Sequence, residues 1–371
     1  MFWYEPFQAG DDPAALSAET HALRRTTISS GAFQRPRMRV LVVTNMFPTS
    51  DAPSAGIFVQ DHVRALASLG VDVEVLFVNG RRSRREYVAT LPRLAGALCN
   101  GRFQLVNTHH SYCTLQVALA RLYARRWVPV LFTMHEGESF LTRGERDPAA
   151  DAIKRLVYSK RIKRWAASVA DHVVTVSPDL AAAISFHGRY DTIPAGVDMD
   201  RFRPMDRLAC RSALGLRHDT PVVFFPANPD RDFSKGYSLF RDALSSLHSR
   251  VHVLTGGTIH PEQMPVYMNA ADVVVQTSRY EASPMVVKEA LACERPLVST
   301  IVGDVPDLCR GLTGCFTCTR DPHDVARKIE SALALQGVAP GGRSRLAERR
   351  LSLAAVAERY VDLYRQVSQA A

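Results

Sequence analysis

Short apolar runs alternate with amphipathic stretches over most of this chain, and that rhythm restricts the fold more than any single motif. In the first half the runs are Arg39–Thr44, Val71–Val78, Leu105–Thr108, Pro129–Thr133 and His172–Val176. Between them lie helical patterns at Gln60–Leu69, Tyr87–Leu98, Leu115–Ala124 and Ile153–Ala170. After a turn-rich passage, Thr192–Pro204, the rhythm restarts with Val222–Pro226, Val251–Thr255, Asp272–Thr277, Pro296–Thr300 and Cys315–Cys318. Strands separated by crossover helices must run parallel, so the pattern predicts two doubly wound α/β sheets. A ligand cleft is expected where their strand carboxyl ends face each other. The expected divisions are an extension at residues 1–37, domains at 38–195 and 196–350, and a terminal helix at 351–371 returning across the junction.

One segment carries most of the chemistry. Glu281 and Glu289 stand eight positions apart, with Ser283-Pro284 between them and the apolar run Asp272–Thr277 just upstream. A helix starting at Ser283 (N-cap) and Pro284 (N1) would aim its free N–H groups off a strand end, which suits an anion. Six helical residues at ~1.5 Å each put Glu289 roughly 9 Å from Ser283, about the reach from a diphosphate to a ribose. One carboxylate on each side of a phosphate pair points to a nucleotide-sugar enzyme.

Composition removes other classes. Apolar residues make up 46% and charged residues 22% of 371 residues, as in ordinary globular proteins. No apolar run reaches the ~20 residues of a membrane span, and residues 1–37 lack the pattern of a secretory signal. Seven scattered cysteines predict reduced thiols and a cytoplasmic location. Cys309, Cys315, Cys318 and His323 do not form paired metal-ligand spacings, and Cys315–Cys318 reads as a buried strand, so no metal site is expected. A net charge of +9 favours anionic partners. Aromatics are not interleaved with the basic runs, which argues against nucleic acid. Arg84, Arg85, Tyr87, Val88, Leu91, Arg93, Leu94 and Leu98 form a basic amphipathic pattern suited to peripheral contact with an anionic membrane.

Taken together, these residues resemble the retaining, GT-B-fold glycosyltransferases of family 4 (glycosyl transferases group 1). Five segments carry the likeness, in the family's order, from Met38 to the C-terminus. They are the Glu281–Glu289 pair, Ile193-Pro-Ala-Gly-Val-Asp, Pro226–Gly236, Thr133-Met-His-Glu-Gly137, and Met46-Phe-Pro with Ala55-Gly56-Ile-Phe58. The implied fold is GT-B: two Rossmann-like doubly wound domains facing across a cleft. The resemblance implies catalytic roles for His135, Glu281, Lys235 and Arg231, and donor binding by Gly56, Ser283, Pro284, Met285 and Glu289. His109, His110, Tyr112, Glu136 and Glu138 are the candidates on the acceptor side. Ala195 departs from the family's usual Asn, and Glu294 stands where Gly is common. A helix and strand frequent in the family are absent between Gly257 and Met268.

The implied reaction moves a hexosyl group from a UDP- or GDP-linked sugar to an acceptor hydroxyl or amine, retaining configuration. The acceptor would be a glycan, lipid-linked or small molecule, in surface-glycan, polysaccharide or antibiotic biosynthesis. No cofactor is expected to be resident. The reaction is expected to be metal-independent. A degenerate nucleotide-sugar-binding subunit and a sugar-nucleotide epimerase or hydrolase are the competing readings.

Overall fold

The computed structural model describes residues 38–100, 103–124, 127–141 and 159–370. The expected extension at 1–37 and the start of the 153–170 helix lie outside them. The first sheet holds β1 (Arg39–Thr44), β2 (Asp72–Phe77), β3 (Leu105–Thr108), β4 (Val130–Met134), β5 (His172–Thr175) and β6 (Tyr190–Thr192). The second holds β7 (Val222–Phe225), β8 (His252–Thr255), β9 (Val273–Gln276), β10 (Leu297–Thr300) and β11 (Cys315–Cys318). Their orders are β2-β1-β3-β4-β5-β6 and β11-β10-β9-β7-β8, with every pairing parallel.

Each sheet is covered on both faces. Val40 and Val42 face Leu66 and the terminal helix Leu353–Ala370, whereas Leu41 and Val43 face Leu94, Leu98, Val117 and Ala120. Burial on both sides explains why β7 and β9 read as near-continuous apolar runs rather than alternating ones, and why the polar members of β3, β4 and β10 (Asn107, Thr108, Thr133, Ser299 and Thr300) are buried as well. The terminal helix returns from the second sheet to the first. Its Tyr364 hydroxyl donates to Asn107 Oδ1 at 2.7 Å, and Val197 and Leu351–Leu353 exchange backbone hydrogen bonds at its start.

Three local expectations need correction. The 87–98 helix is two pieces, Glu86–Ala89 and Leu91–Asn100. Pro92 lacks an N–H and fits only a first turn, so the helix restarts there. Part of its apolar face is spent within the protein: Leu94 and Leu98 are fully buried in the first domain's core, whereas Val88 is exposed. The helix that follows β9 starts at Met285, with Pro284 rather than Ser283 at the N-cap and no side-chain cap. The Ser283 hydroxyl instead donates to Asp304 Oδ2 at 2.6 Å. Finally, β6 had no apolar run to announce it; it is a three-residue edge strand with two exposed members.

Candidate active site

A cavity of about 580 Å³ opens at the carboxyl ends of the two sheets. It is lined by Gly56, His135, Arg231, Lys235, Glu281, Ser283, Pro284 and Met285, together with the linker residue Ala195. Eight of the residues expected from sequence thus meet in one space, contributed by β1, β4, β7 and β9 loops far apart in the chain.

On the second-domain wall, Lys235 Nζ donates to Glu281 Oε1 at 2.6 Å, and the Ser278 hydroxyl donates to the same oxygen at 2.9 Å. Lys235 ends a helical turn after β7, and Glu281 follows β9, so the pair bridges neighbouring strand ends. The Arg231 side chain is exposed and makes no hydrogen bond or ion pair among the described residues. An unengaged guanidinium beside an engaged ammonium gives this wall two cations, one of which can fork onto an anion at once.

Gly56 occupies the first-domain wall with φ +73°, and a Cβ there would lie 2.3 Å from the Met46 carbonyl carbon. Only glycine allows that loop to fold back on β1. On the same wall, His135 stacks on His109, with ring centroids 5.3 Å apart and Nε2 3.1 Å from His109 Nδ1. His62 meets His109 edge-on at 5.6 Å and packs on Tyr360 at 4.4 Å. Burial holds His135 down to about 4, with Glu136 opposing it, and holds His62 down to about 3. Near neutral pH this column is therefore uncharged imidazole, able to pass or share a proton but not to act as a cation.

The remaining candidates lie away from the cavity lining. Glu136 is buried against the start of the Ser111–Ala124 helix and accepts from both the Ser111 N–H, at 3.0 Å, and its hydroxyl. Burial pushes its carboxyl up, but His110, Lys163 and the Ser111 hydrogen bonds outweigh it, so Glu136 stays charged. Glu138 pairs with the buried Lys163 at 2.9 Å. His110 stacks on Tyr112 at 5.1 Å, beside Tyr87. Glu289 is partly buried near Arg201 and Asp61, which pair at 2.9 Å across the domain junction. Burial raises Glu289 to about 7, Arg201 working against the shift.

Sequence reasoning missed two features. One is Lys288, which is fully buried, donating to the Ala195 carbonyl and the Ser283 hydroxyl with Asp304 at 3.5 Å. The signal was present: a lone lysine inside an apolar helix, Met285–Ala292, needs a partner to be buried. The second is the Glu281–Ala282 peptide, which lies between two glycines. A Cβ on Gly137 would sit 3.0 Å from Ala282 N, and one on Gly303 2.3 Å from Ala282 O. Ala282 itself packs with Phe132 and Met134 of the first domain.

Comparison with known proteins follows the same division. The family described as "Glycosyltransferase Family 4" matches residues 32–201, and that described as "Glycosyl transferases group 1" matches residues 228–334. Curated relatives include D-inositol 3-phosphate glycosyltransferases. That of Geodermatophilus obscurus is 28% identical over 66% of this chain and 62% of its own. Those of Mycobacterium tuberculosis are 30% identical over 65% and 56%. The chain thus spans less than two-thirds of these relatives' length. Among solved structures, sucrose-phosphate synthase from Thermosynechococcus elongatus superposes with TM-score 0.70 at 19% identity, over 90% of this chain and all of that one. Anabaena HepE in complex with UDP and glucose superposes with TM-score 0.63 at 17% identity, over 89% and 100%.

Proposed function

The chain belongs to the family-4 glycosyltransferases of the GT-B fold, and on that premise we propose that it transfers a hexosyl group from a nucleoside diphosphate sugar with retention of configuration. The observation that carries the reading is the Lys235–Glu281 pair, set beside the unengaged Arg231 and facing His135 across one cavity. Arg231 and Lys235 supply positive charge where a nucleoside diphosphate leaves, and the N–H groups at the start of Met285–Ala292 add to it. Glu281, released from Lys235 by the incoming phosphates, accepts from hydroxyls of the donor sugar.

His135 would border the transferred sugar as a neutral group, which avoids competing with the cations for the diphosphate. The acceptor hydroxyl or amine enters from the first domain and attacks on the face that the diphosphate leaves, with the leaving group positioned to take its proton. Two protein cations meet the charge of the leaving group, so transfer should proceed without a divalent ion. The seven cysteines are all free thiols, in keeping with a reducing, cytoplasmic setting. Surface-glycan and secondary-metabolite assembly are the settings that supply such acceptors.

The test is a thermal-shift panel of UDP, GDP, ADP and dTDP on wild type and Lys235→Ala. UDP comes first because the HepE complex holds it. Saturation at 100-fold the dissociation constant adds ~2.7 kcal/mol, about 2–4 °C for a chain of this size. A selective shift that Lys235→Ala loses supports the reading. No shift with any nucleotide favours a degenerate subunit, and donor turnover that needs no second substrate favours a hydrolase or epimerase.

A further inference from the structure

The outer surface of the first domain carries an apolar patch that the transfer reaction does not use. On the Ser111–Ala124 helix, Leu119, Leu122 and Tyr123 share one stripe at i, i+3 and i+4, and Leu122 and Tyr123 are 76% and 74% exposed. Trp127 follows, 65% exposed, its ring held 4.3 Å from the Arg121 guanidinium. The neighbouring helix, Lys160–Val169, packs against the first and exposes Trp165. Scattered surface hydrophobes are ordinary, but two tryptophans, a tyrosine and two leucines on two packed helices are a patch.

Charge identifies what the patch fits. Lys160, Arg161 and Arg164 are exposed around Trp165. There is no Asp or Glu from Ser111 to Val128, nor from Ser159 to Ala170. A protein partner's interface core is depleted of lysine, whereas tryptophan and tyrosine flanked by lysine and arginine match a bilayer interface. We propose that this face docks on an anionic lipid bilayer. The aromatic rings enter the headgroup region while the basic side chains meet lipid phosphates.

The orientation leaves the cavity accessible. Ser111 begins its helix beside Glu136, next to His135 at the cavity wall. Twelve residues on at 1.5 Å each, Tyr123 is roughly 18 Å away. Lipid contact at the far end of the helix therefore does not block the site. The proposal rests on different residues from the transfer reaction, so either can fail alone.

The test is flotation of the full chain with vesicles of phosphatidylcholine alone and of phosphatidylcholine mixed with phosphatidylglycerol. Wild type is expected to float with the mixed vesicles only, and to be released by high salt. The Leu122→Ser/Tyr123→Ser/Trp165→Ser variant is expected to lose flotation while keeping the nucleotide thermal shift of wild type. Should that triple variant misfold, Trp165→Ser alone is expected to weaken flotation measurably. A variant that removes charge from Arg81, Arg82, Arg84 and Arg85 is expected to float like wild type. Failure of wild type to float with the mixed vesicles overturns the proposal, as does undiminished flotation of a folded patch variant. Light scattering adds a third way to refute it: a wild-type dimer that the patch variant turns into monomer, without lipid binding, assigns the face to a second copy of this chain.

Discussion

The ammonium of Lys288 donates to the carbonyl oxygen of Ala195 at 2.7 Å, joining the helix behind the donor loop to the linker between the sheets. The same ammonium donates to the Ser283 hydroxyl and faces Asp304 at 3.5 Å, and the Ser283 hydroxyl closes the network on Asp304. Ala195 and Ser283 both line the cavity. One buried cation thus fixes the linker and the donor loop relative to each other.

Removing it should be severe. Lys288→Met keeps the volume but leaves the Asp304 carboxylate buried without its cation, and breaking a buried pair costs about 3–5 kcal/mol. Urea unfolding is expected to show that loss, with much of it recovered in Lys288→Met/Asp304→Asn. A loss below ~1 kcal/mol, the value of a surface pair, would mean that the network is not a structural tie.

For Lys235 the expected effect is on turnover rather than on folding, because the side chain is half-exposed at the cavity wall. Loss of one group that stabilises a developing anion lowers kcat by ~10²–10³. Steady-state kinetics of Lys235→Ala and Arg231→Ala should each show a fall of that order. Equal rates in wild type and both variants would remove the leaving-group role from this wall.

What the sequence made legible follows from where physical constraints are local. β4, β7 and β9 were readable because both faces of a parallel sheet favour near-continuous apolar runs, β3 and β10 because each opens on an apolar pair between helical stretches, and β6 was not because an edge strand makes no such demand. His135, Lys235, Glu281 and Gly56 were readable because each follows a strand end within a short motif. Lys288 stood out only as a lysine inside an apolar helix; two of its partners, Ala195 and Asp304, come from other segments of the chain, and only the fold reveals which groups satisfy its charge. The carboxylates Glu136 and Glu138 looked like acceptor contacts from their position after β4. Their actual partners, Ser111 and Lys163, could not be inferred from spacing.

Glu289 gives a pH signature. Its folded carboxyl sits at about 7 against an ordinary 4.5. Between those values the folded state binds more protons than the unfolded state. Its contribution is therefore fully present below about 4.5 and is lost as pH rises toward 7. Unfolding free energies of wild type and Glu289→Gln, compared from pH 4.5 to 8, should diverge in that window, the variant gaining relative stability with rising pH. A constant difference would show that Glu289 ionises as an exposed carboxyl does. His135, held near 4 by burial, should add no inflection near pH 6.5 to the rate profile.

Gly137 tests whether contact between the domains matters to the reaction. A Cβ there would lie 3.0 Å from Ala282 N and 3.2 Å from the Glu281 carbonyl carbon. Those are backbone atoms pinned from the other side by Gly303, so the donor loop cannot give way, and the first-domain loop must lift instead. Gly137→Val adds still more bulk, at a cost of about 1–3 kcal/mol in overpacking. The side chains of Lys235, Glu281 and Arg231 all belong to the second domain, whose loop holds its position, so nucleotide affinity should stay within about twofold of wild type, well under the ~1.4 kcal/mol of a tenfold change. His135, two residues before the substitution, moves with the lifted loop, and a displacement of ~1 Å can cost about 10² in rate. Isothermal titration with the nucleotide and turnover with a full substrate pair should therefore separate: binding kept, kcat lowered. Should both fall together, the glycine would be supporting the fold of the donor loop rather than the approach of the two domains.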